Sequence, residues 1–513
     1  MTDTTGPVLA ADGTPLKRSL QRSLRVQKMR AFLLVAPLLL FILISFVFPI
    51  ADMLFRSVEN DIVQETLPLT TEEMASWDPE SGVAPGERVF TALQSDIVVA
   101  AEKRIHTRLG SRLNYQASGI SSLFRRSGRG ADRTDADEIT DQFIQLNEDW
   151  QDPATMATLA ATPGAAIQLP LFVGSFEMWA DLMVLEGDDP TAEQPWDFVY
   201  AALYRDILDA PAGDLSVLEP ALITQVSAFE PFSAREAFED IDDDWLDPEV
   251  WETLYLYSPA YTAGYFYNAV DLEKSLDGPV AVDEDQQIYI TLFIRTLILS
   301  VSITFSCLML GYPIAWLLSN IAARHANLLL ILVLLPFWTS LLVRTSAWKV
   351  LLQQQGVIND VLVWIGLVDD ANRLVMINNQ LGTIIAMTHI LLPFMILPLY
   401  SVMKTIPPSY LRAAKSLGAT NWTAFWRVYF PQTIPGIGAG AILVFILAIG
   451  YYITPELVGG TSGIFISNRI AFHISSSLNW GLAAALGSLL LILVLALYWV
   501  YDRLVGVDKV SLG

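Results

Sequence analysis

The sequence predicts an all-α membrane protein with six transmembrane helices and a large, mainly helical extracytoplasmic insert between helices 1 and 2. Composition supplies the first reason: 53% of the 513 residues are apolar, yet 54 Asp and Glu outnumber 31 Lys and Arg, for a net charge of −23. The second reason is where that charge sits. Between Arg56 and Asp285 there are 45 acids and 13 bases, net −32, which leaves the rest of the chain at +9. A membrane core with basic flanks, carrying one acidic soluble domain, accounts for both halves. The third is a set of six apolar runs long enough to cross a bilayer. So acidic a chain is a poor partner for nucleic acid. Its single cysteine, Cys307, lies in an apolar run, so no disulfide staples the insert. A domain of about 230 residues can bury an adequate core without one.

Residues 1–28 form a basic tail (Lys17, Arg18, Arg22, Arg25, Lys28), expected to be disordered or to lie on the surface. The first transmembrane helix is placed at 29–54, where Ala31–Ala51 is uncharged and 21 residues long. At about 1.5 Å per residue this crosses a core of roughly 30 Å. It is too long for a signal peptide, and no small-x-small cleavage site follows. The insert occupies 55–287. Leu93–Leu113 has helical apolar spacing, Arg125–Arg133 (RRSGRGADR) reads as a flexible basic linker, and helical patterns such as Phe198–Leu208 alternate with Pro/Gly/Asp turns. No repeat at a fixed period is visible. The five-helix core, 288–503, holds the runs Ile288–Leu318, Leu328–Trp348, Leu381–Met403, Ile434–Ile453 and Leu482–Tyr501, and 504–513 is a short tail.

Basic residues orient the spans. With the basic N-terminus inside, Arg324 and His325, then Lys404, Arg412, Lys415 and Arg427, then Arg503 and Lys509 all fall on the cytoplasmic side. Both termini are then cytoplasmic and the insert periplasmic.

One cytoplasmic loop, 404–432, is more than a spacer. In LRAAKSLGATNWTAFWRVYFP (Leu411–Pro431) a small-residue helix carries Arg412, Ala413, Ala414 and Lys415. Gly418 and Ala419 end it, glycine being suited to the left-handed position past a helix. Val428, Phe430 and Pro431 then lead into the next element. This spacing resembles the "EAA" loop of ABC-importer permeases, with Arg412 where that family usually has Glu. Four more stretches resemble the spermidine/putrescine permease branch: Leu310–Ser319 (LGYPIAWLLS), Leu335–Asn359, Tyr451–Gly460 (YYITPELVGG) and Asn479–Gly487 (NWGLAAALG). The resemblance covers Ile288–Tyr501 and leaves the insert outside it. It implies a type I importer fold and a non-catalytic membrane subunit whose cytoplasmic loop docks on an ATPase. The implied partners are two copies of that ATPase, a second permease subunit and a periplasmic substrate-binding protein, in the bacterial inner membrane. ATP and Mg would sit on the ATPase, with no cofactor on this chain.

The candidate pathway residues are Trp338, Arg344, Trp348, Tyr451, Tyr452 and Glu456. Ionisable groups at membrane depth usually face a cavity or a partner. Arg344 can hold substrate, pair with a neighbouring subunit's carboxylate, or snorkel to head groups. Tyr451, Tyr452 and Glu456 combine rings with one carboxylate, which suits a cation; anchoring in an aromatic belt is the alternative. Gly436, Gly438 and Gly440 leave small faces for helix packing. In the insert, Asp242–Asp271 sets acids beside Trp245, Trp251, Tyr255, Tyr257, Tyr261, Tyr265 and Tyr267. That is the chemistry of a polyamine site, but such a stretch more often packs its aromatic faces into a helical core while the acids are solvated.

Phosphate-loop, His-Glu-x-x-His and Gly-x-Ser-x-Gly signatures are lacking, and His106, His325, His389 and His473 have no metal-ligand spacing. The expected function is import of a small solute, foremost a polyamine; opines, thiamine and ferric ion are alternatives. A secondary transporter or channel would need titratable groups at midplane, where only Arg295 and His389 offer themselves. A membrane-anchored sensor would leave the loop unexplained.

Overall fold

The computed structural model describes residues 16–134, 136–210, 215–284 and 286–505. The start of the expected N-terminal tail (1–15) and most of the C-terminal one (506–513) lie outside them. The tail, expected to be disordered or to lie on the surface, is helical from Leu16, in the helix Leu16–Ile42. No glycine or proline interrupts the sequence from Leu16 to Pro37. A π-turn, Leu43–Val47, and the helix Phe48–Arg56 complete this first apolar rod.

Among the described residues five helices are long and apolar enough to cross a membrane, or six if one bent pair counts as a span. Tyr289–Asn320, Gln380–Thr405 and Asn421–Gly450 form the centre of the bundle. Glycines let them close in. A Cβ at Gly440 would stand 2.7 Å from the Met395 sulfur, and one at Gly436 would stand 3.0 Å from the Val402 side chain. Trp480–Val505 packs beside Phe48–Arg56 and Ile466–Ser475.

The run Leu328–Trp348, expected as one straight span, is broken. Ala323–Trp338 and Leu341–Leu351 meet at 95°. Pro336 sits in a tight 3₁₀ turn, and Ser340 starts a new helix by accepting a hydrogen bond from the Val343 amide at 3.2 Å. Pro followed by a capping Ser ends one helix and opens another.

The insert has an order that a fixed-period search cannot find. Six elements follow one another in Asp137–Leu146, Glu148–Gln151, Pro153–Ala160, Ala165–Gln168, Pro170–Glu186 and Asp197–Asp209. The same plan recurs with its halves exchanged along the chain. Ala234–Ile241, Asp243–Leu246 and Pro248–Tyr257 match the first three elements, and Ile62–Thr66, Pro68–Met74 and Glu87–Glu102 match the last three. The two halves adjoin where the Asn60 amide donates to the Ala260 carbonyl at 2.8 Å.

Backbone angles repeat with the order. Leu169 and Leu67, each before a helix-opening proline, have φ −131, ψ 57 and φ −129, ψ 58. Asp152 and Asp247 have φ −78, ψ 118 and φ −74, ψ 119, and each caps the helix that follows. The rings repeat too. Phe143 meets Trp150 at 5.2 Å and Tyr200 at 6.0 Å, while Phe238 meets Trp245 at 5.6 Å and Phe90 at 6.2 Å. Sequence keeps a trace: Asn147-Glu-Asp-Trp-Gln-Asp-Pro153 beside Asp242-Asp-Asp-Trp-Leu-Asp-Pro248, and Leu-Pro-Leu at 67 and at 169.

Each unit also buries one aspartate at the same place, ten residues into its last helix. Asp96 accepts from the Leu69 and Thr70 amides (3.3 and 2.7 Å) and from the Thr70 hydroxyl (2.6 Å), capping Pro68–Met74. Asp206 accepts from the Phe172 amide at 2.8 Å and from Arg88 at 2.8 Å. Burial pushes their carboxyls up, to about 7 for Asp96 and about 6 for Asp206, against the lowering effect of those donors.

Three readings of the insert meet the structure, and two of them change. RRSGRGADR is no flexible linker: it forms the end of the helix Ile120–Arg129 and the turn Ala131–Thr134. Arg126 pairs with Asp242, and buried Ser127 accepts from the Trp245 indole at 2.8 Å. Its Gly128 is needed for close approach, since a Cβ there would collide with His106. The aromatics of 242–271 are chiefly core, with Trp245, Trp251 and Tyr257 fully buried and Tyr261 exposed. Third, 261–287 belongs with the bundle more than with the insert. Tyr265 and Ala269 pack with Leu292, Leu482 and Leu486. Asp271 caps the second span, accepting from the Ile288, Tyr289 and Ile290 amides at 3.0, 2.9 and 2.8 Å. A two-stranded hairpin, Leu272–Ser275 with Gly278–Ala281, completes this connector.

Candidate functional site

The loop 404–432 builds a protruding surface on a firm base. Pro408 opens the helix Pro408–Ser416, which buries none of its residues. Gly418 takes φ +88, and its amide donates to the Lys415 carbonyl at 3.0 Å while the Ala419 amide donates to Ala414 at 3.1 Å. This paired closure is the Schellman stop. Thr420 then caps Asn421–Ala424, accepting from the Thr423 amide at 3.2 Å.

Of the residues singled out from sequence, Arg412, Ala413, Lys415 and Gly418 are exposed on the protrusion; Ala414 and Ala419 are half-buried. Val428 and Phe430 are half-buried at the base, and Pro431 lies exposed where the next long helix begins. Tyr312 of the second span anchors that base, with Phe430 at 6.0 Å and Phe425 at 6.3 Å between ring centroids. The loop base thereby packs on the second span and runs on into the helix Phe430–Gly450. Sequence reasoning passed over two prominent residues: Leu417 is 90% and Trp422 72% exposed. Bulky apolar side chains flanking a glycine stop were the available signal.

The pathway candidates divide. Trp348 donates its indole N–H to His389 Nδ1 at 3.0 Å, and Arg344 lies within electrostatic reach of both His389 and Tyr451. Among the described residues Arg344 Nε is buried without a partner. Thr345 and Thr454 join the two elements by hydroxyls 3.1 Å apart. Glu456 is not part of this group. Its carboxylate accepts from Asn468 at 2.7 Å, and Asn468 also donates to the Tyr452 carbonyl at 2.8 Å. Trp338, 72% exposed, and exposed Tyr452 stand apart as well. Asn468 is the addition, and His389, noted from sequence only as a titratable group at midplane, gains its partner; neither has a motif, and only the fold brings them to their partners.

Comparison with known proteins follows the same stretch of chain. Residues 293–506 match the family model of the binding-protein-dependent transport system inner membrane component. The spermidine/putrescine transport system permease protein PotB of Salmonella typhimurium is 37% identical over 227 residues, which is 44% of this chain and 78% of that protein. The chain belongs to this family. The Escherichia coli PotB is 36% identical over 228 residues, 44% of this chain and 82% of that one. The inner membrane ABC transporter permease protein YdcU of Escherichia coli is 30% identical over 277 residues, 51% of this chain and 88% of it. A solved bacterial alginate ABC transporter, in complex with an alginate pentasaccharide-bound periplasmic protein, aligns with 42% of this chain and 77% of its own at TM-score 0.36 and 20% identity. The permease is thus a multi-pass inner membrane protein, and its family region begins where the connector hands over to the second span.

Proposed function

We propose that this permease is the membrane subunit of an ABC importer that moves a small polyamine, of the spermidine/putrescine class, into the cell. Its working unit would hold two ATPase copies, a second permease of similar fold and a periplasmic substrate-binding protein, with ATP and Mg bound only by the ATPase. The observation that carries this reading is the loop 404–432. It offers an exposed helix, a glycine stop and two bare apolar side chains, tied by Tyr312, Phe425 and Phe430 to the membrane helices. The PotB relatives support the substrate class.

In this reading the bent pair counts as a third span, giving six, with both termini cytoplasmic and the insert periplasmic. Charge supports the orientation, since Lys404, Arg412, Lys415 and Arg427 cluster at the loop. Arg344 repels a polycation, so the Tyr451 ring is the better contact for one near Trp348 and His389. The substrate assignment is tested by ATP-driven uptake in proteoliposomes holding the assembled importer. Labelled spermidine should enter and be competed by putrescine; uptake of thiamine or ferric ion in its place would overturn the assignment. For topology, a cysteine at Ser216 should react with an impermeant thiol reagent in spheroplasts and one at Ser19 should not. The native Cys307 is buried and gives little background.

A further inference from the structure

A cleft of about 630 Å³ lies between the insert and the ends of the first and last spans. Its floor is unusual. Arg112 is 6% exposed and donates Nε to the Tyr265 hydroxyl at 3.0 Å, and that hydroxyl leans on Asn60 Oδ1 at 3.3 Å. The guanidinium also lies over the Tyr265 ring, 4.4 Å from its centroid. These contacts fix the side chain but use only one of its donors. Among the described residues both terminal nitrogens of Arg112 are buried and unpartnered. The same is true of the Asn479 amide nitrogen, whose oxygen caps the last span by accepting from the Leu482 amide at 3.2 Å.

Burying a charged donor without an acceptor is costly, and a pre-set guanidinium edge is the geometry that takes two oxygens of one anion. Arg56, Arg108 and Arg125 also line the cleft, against three acids, Glu59, Asp61 and Glu65. Arg56 is already paired with Asp52 at 2.9 Å, so it is the unpartnered donors of Arg112 and Asn479, and not the net charge, that favour an anion. Arg56 ends the first apolar rod, and half-exposed Trp480 opens the last span. Tryptophan at such an end marks the depth of lipid head groups, and basic clefts there hold head-group phosphates.

We propose that this cleft is a phosphate site, in which Arg112 and Asn479 hold a phosphate group of a lipid head group or of a free phosphate. Because Arg112 belongs to the insert and Asn479 to the bundle, occupancy joins the two. Thermal unfolding of the purified full-length chain in detergent tests it, with phosphatidylglycerol, phosphatidylcholine or inorganic phosphate added separately. Stabilisation by phosphatidylglycerol alone identifies a lipid source, and stabilisation by inorganic phosphate a soluble one; either supports the site. Arg112→Gln should weaken the responding additive at least about tenfold. Should Arg112→Gln fail to fold, Asn479→Asp serves, since its carboxylate keeps the cap on Leu482 while removing the donor and repelling an anion. No stabilisation by any additive, or a response unchanged in the folded variant, would overturn the proposal.

Discussion

In the bundle, helices meet where Gly311 and Gly440 face Met395; in the insert, they are spaced by Trp150, Trp179, Trp245 and Trp251. Both solutions fill space, but they do so under different solvents. Lipid gives no hydrophobic reward for burying one more apolar ring, so the bundle relies on close backbone approach. The insert is acidic and water-facing, and large rings supply most of the area it removes from water. Each region therefore has its own weakest point, and substitutions should separate them.

The largest loss is expected at the insert's rings. Trp245→Ala and its counterpart Trp150→Ala should each cost about 3–5 kcal/mol. Limited proteolysis should show the insert opened while the bundle stays folded. Equal damage to both regions would mean that they fold as one unit. In the bundle, Gly440→Leu must push Met395 aside and should cost about 1–3 kcal/mol, read as thermal stability in detergent. Met395→Ala on top should recover part of it; no recovery would place the strain elsewhere.

A subtler difference is pH. The raised carboxyls of Asp96 and Asp206 mean that the folded insert binds protons more tightly than the unfolded chain. Their contribution is fully present below about pH 4 and is lost as pH rises through about 6 and then about 7. After correction for intrinsic exchange, amide protection across Pro68–Met74 should fall about tenfold between pH 5.5 and pH 8. Asp96→Asn should flatten that slope, and an unchanged slope would remove Asp96 from the account.

How much of this was readable in the sequence follows the same divide. Membrane spans announce themselves by length and apolarity, and the loop by its glycine spacing. The exception, the break at Thr339, was written as Pro336 and Ser340 inside a run whose hydropathy hid them. In the insert, single helices such as Phe198–Leu208 were legible, but the doubled plan was not. Its halves are exchanged, so the shift between matching segments differs between them and reverses along the chain. RRSGRGADR was misread because arginine and glycine resemble a linker until Asp242 and His106 are in place. Asn468 could not be found at all, and His389 was visible only as a titratable group within a span, since their partners are distant in sequence.

The central claim is that transport resides in the bundle and its loop, with the insert an attachment. Asn60 and Ala260 are hydrogen-bonded neighbours, and Glu59 pairs with Tyr261. Residues 61–260 can thus be excised by joining Asn60 to Tyr261, which removes the Arg112 contact with Tyr265 but leaves the Asp271 cap and the packing of Tyr265 with Leu292, Leu482 and Leu486. The direct measurement compares ATP-driven spermidine uptake by importers carrying this excision with uptake by those carrying Gly418→Asp. Retained uptake in the first, and lost uptake with normal membrane insertion in the second, is the predicted result. Uptake abolished by the excision yet unaffected by Gly418→Asp would contradict it.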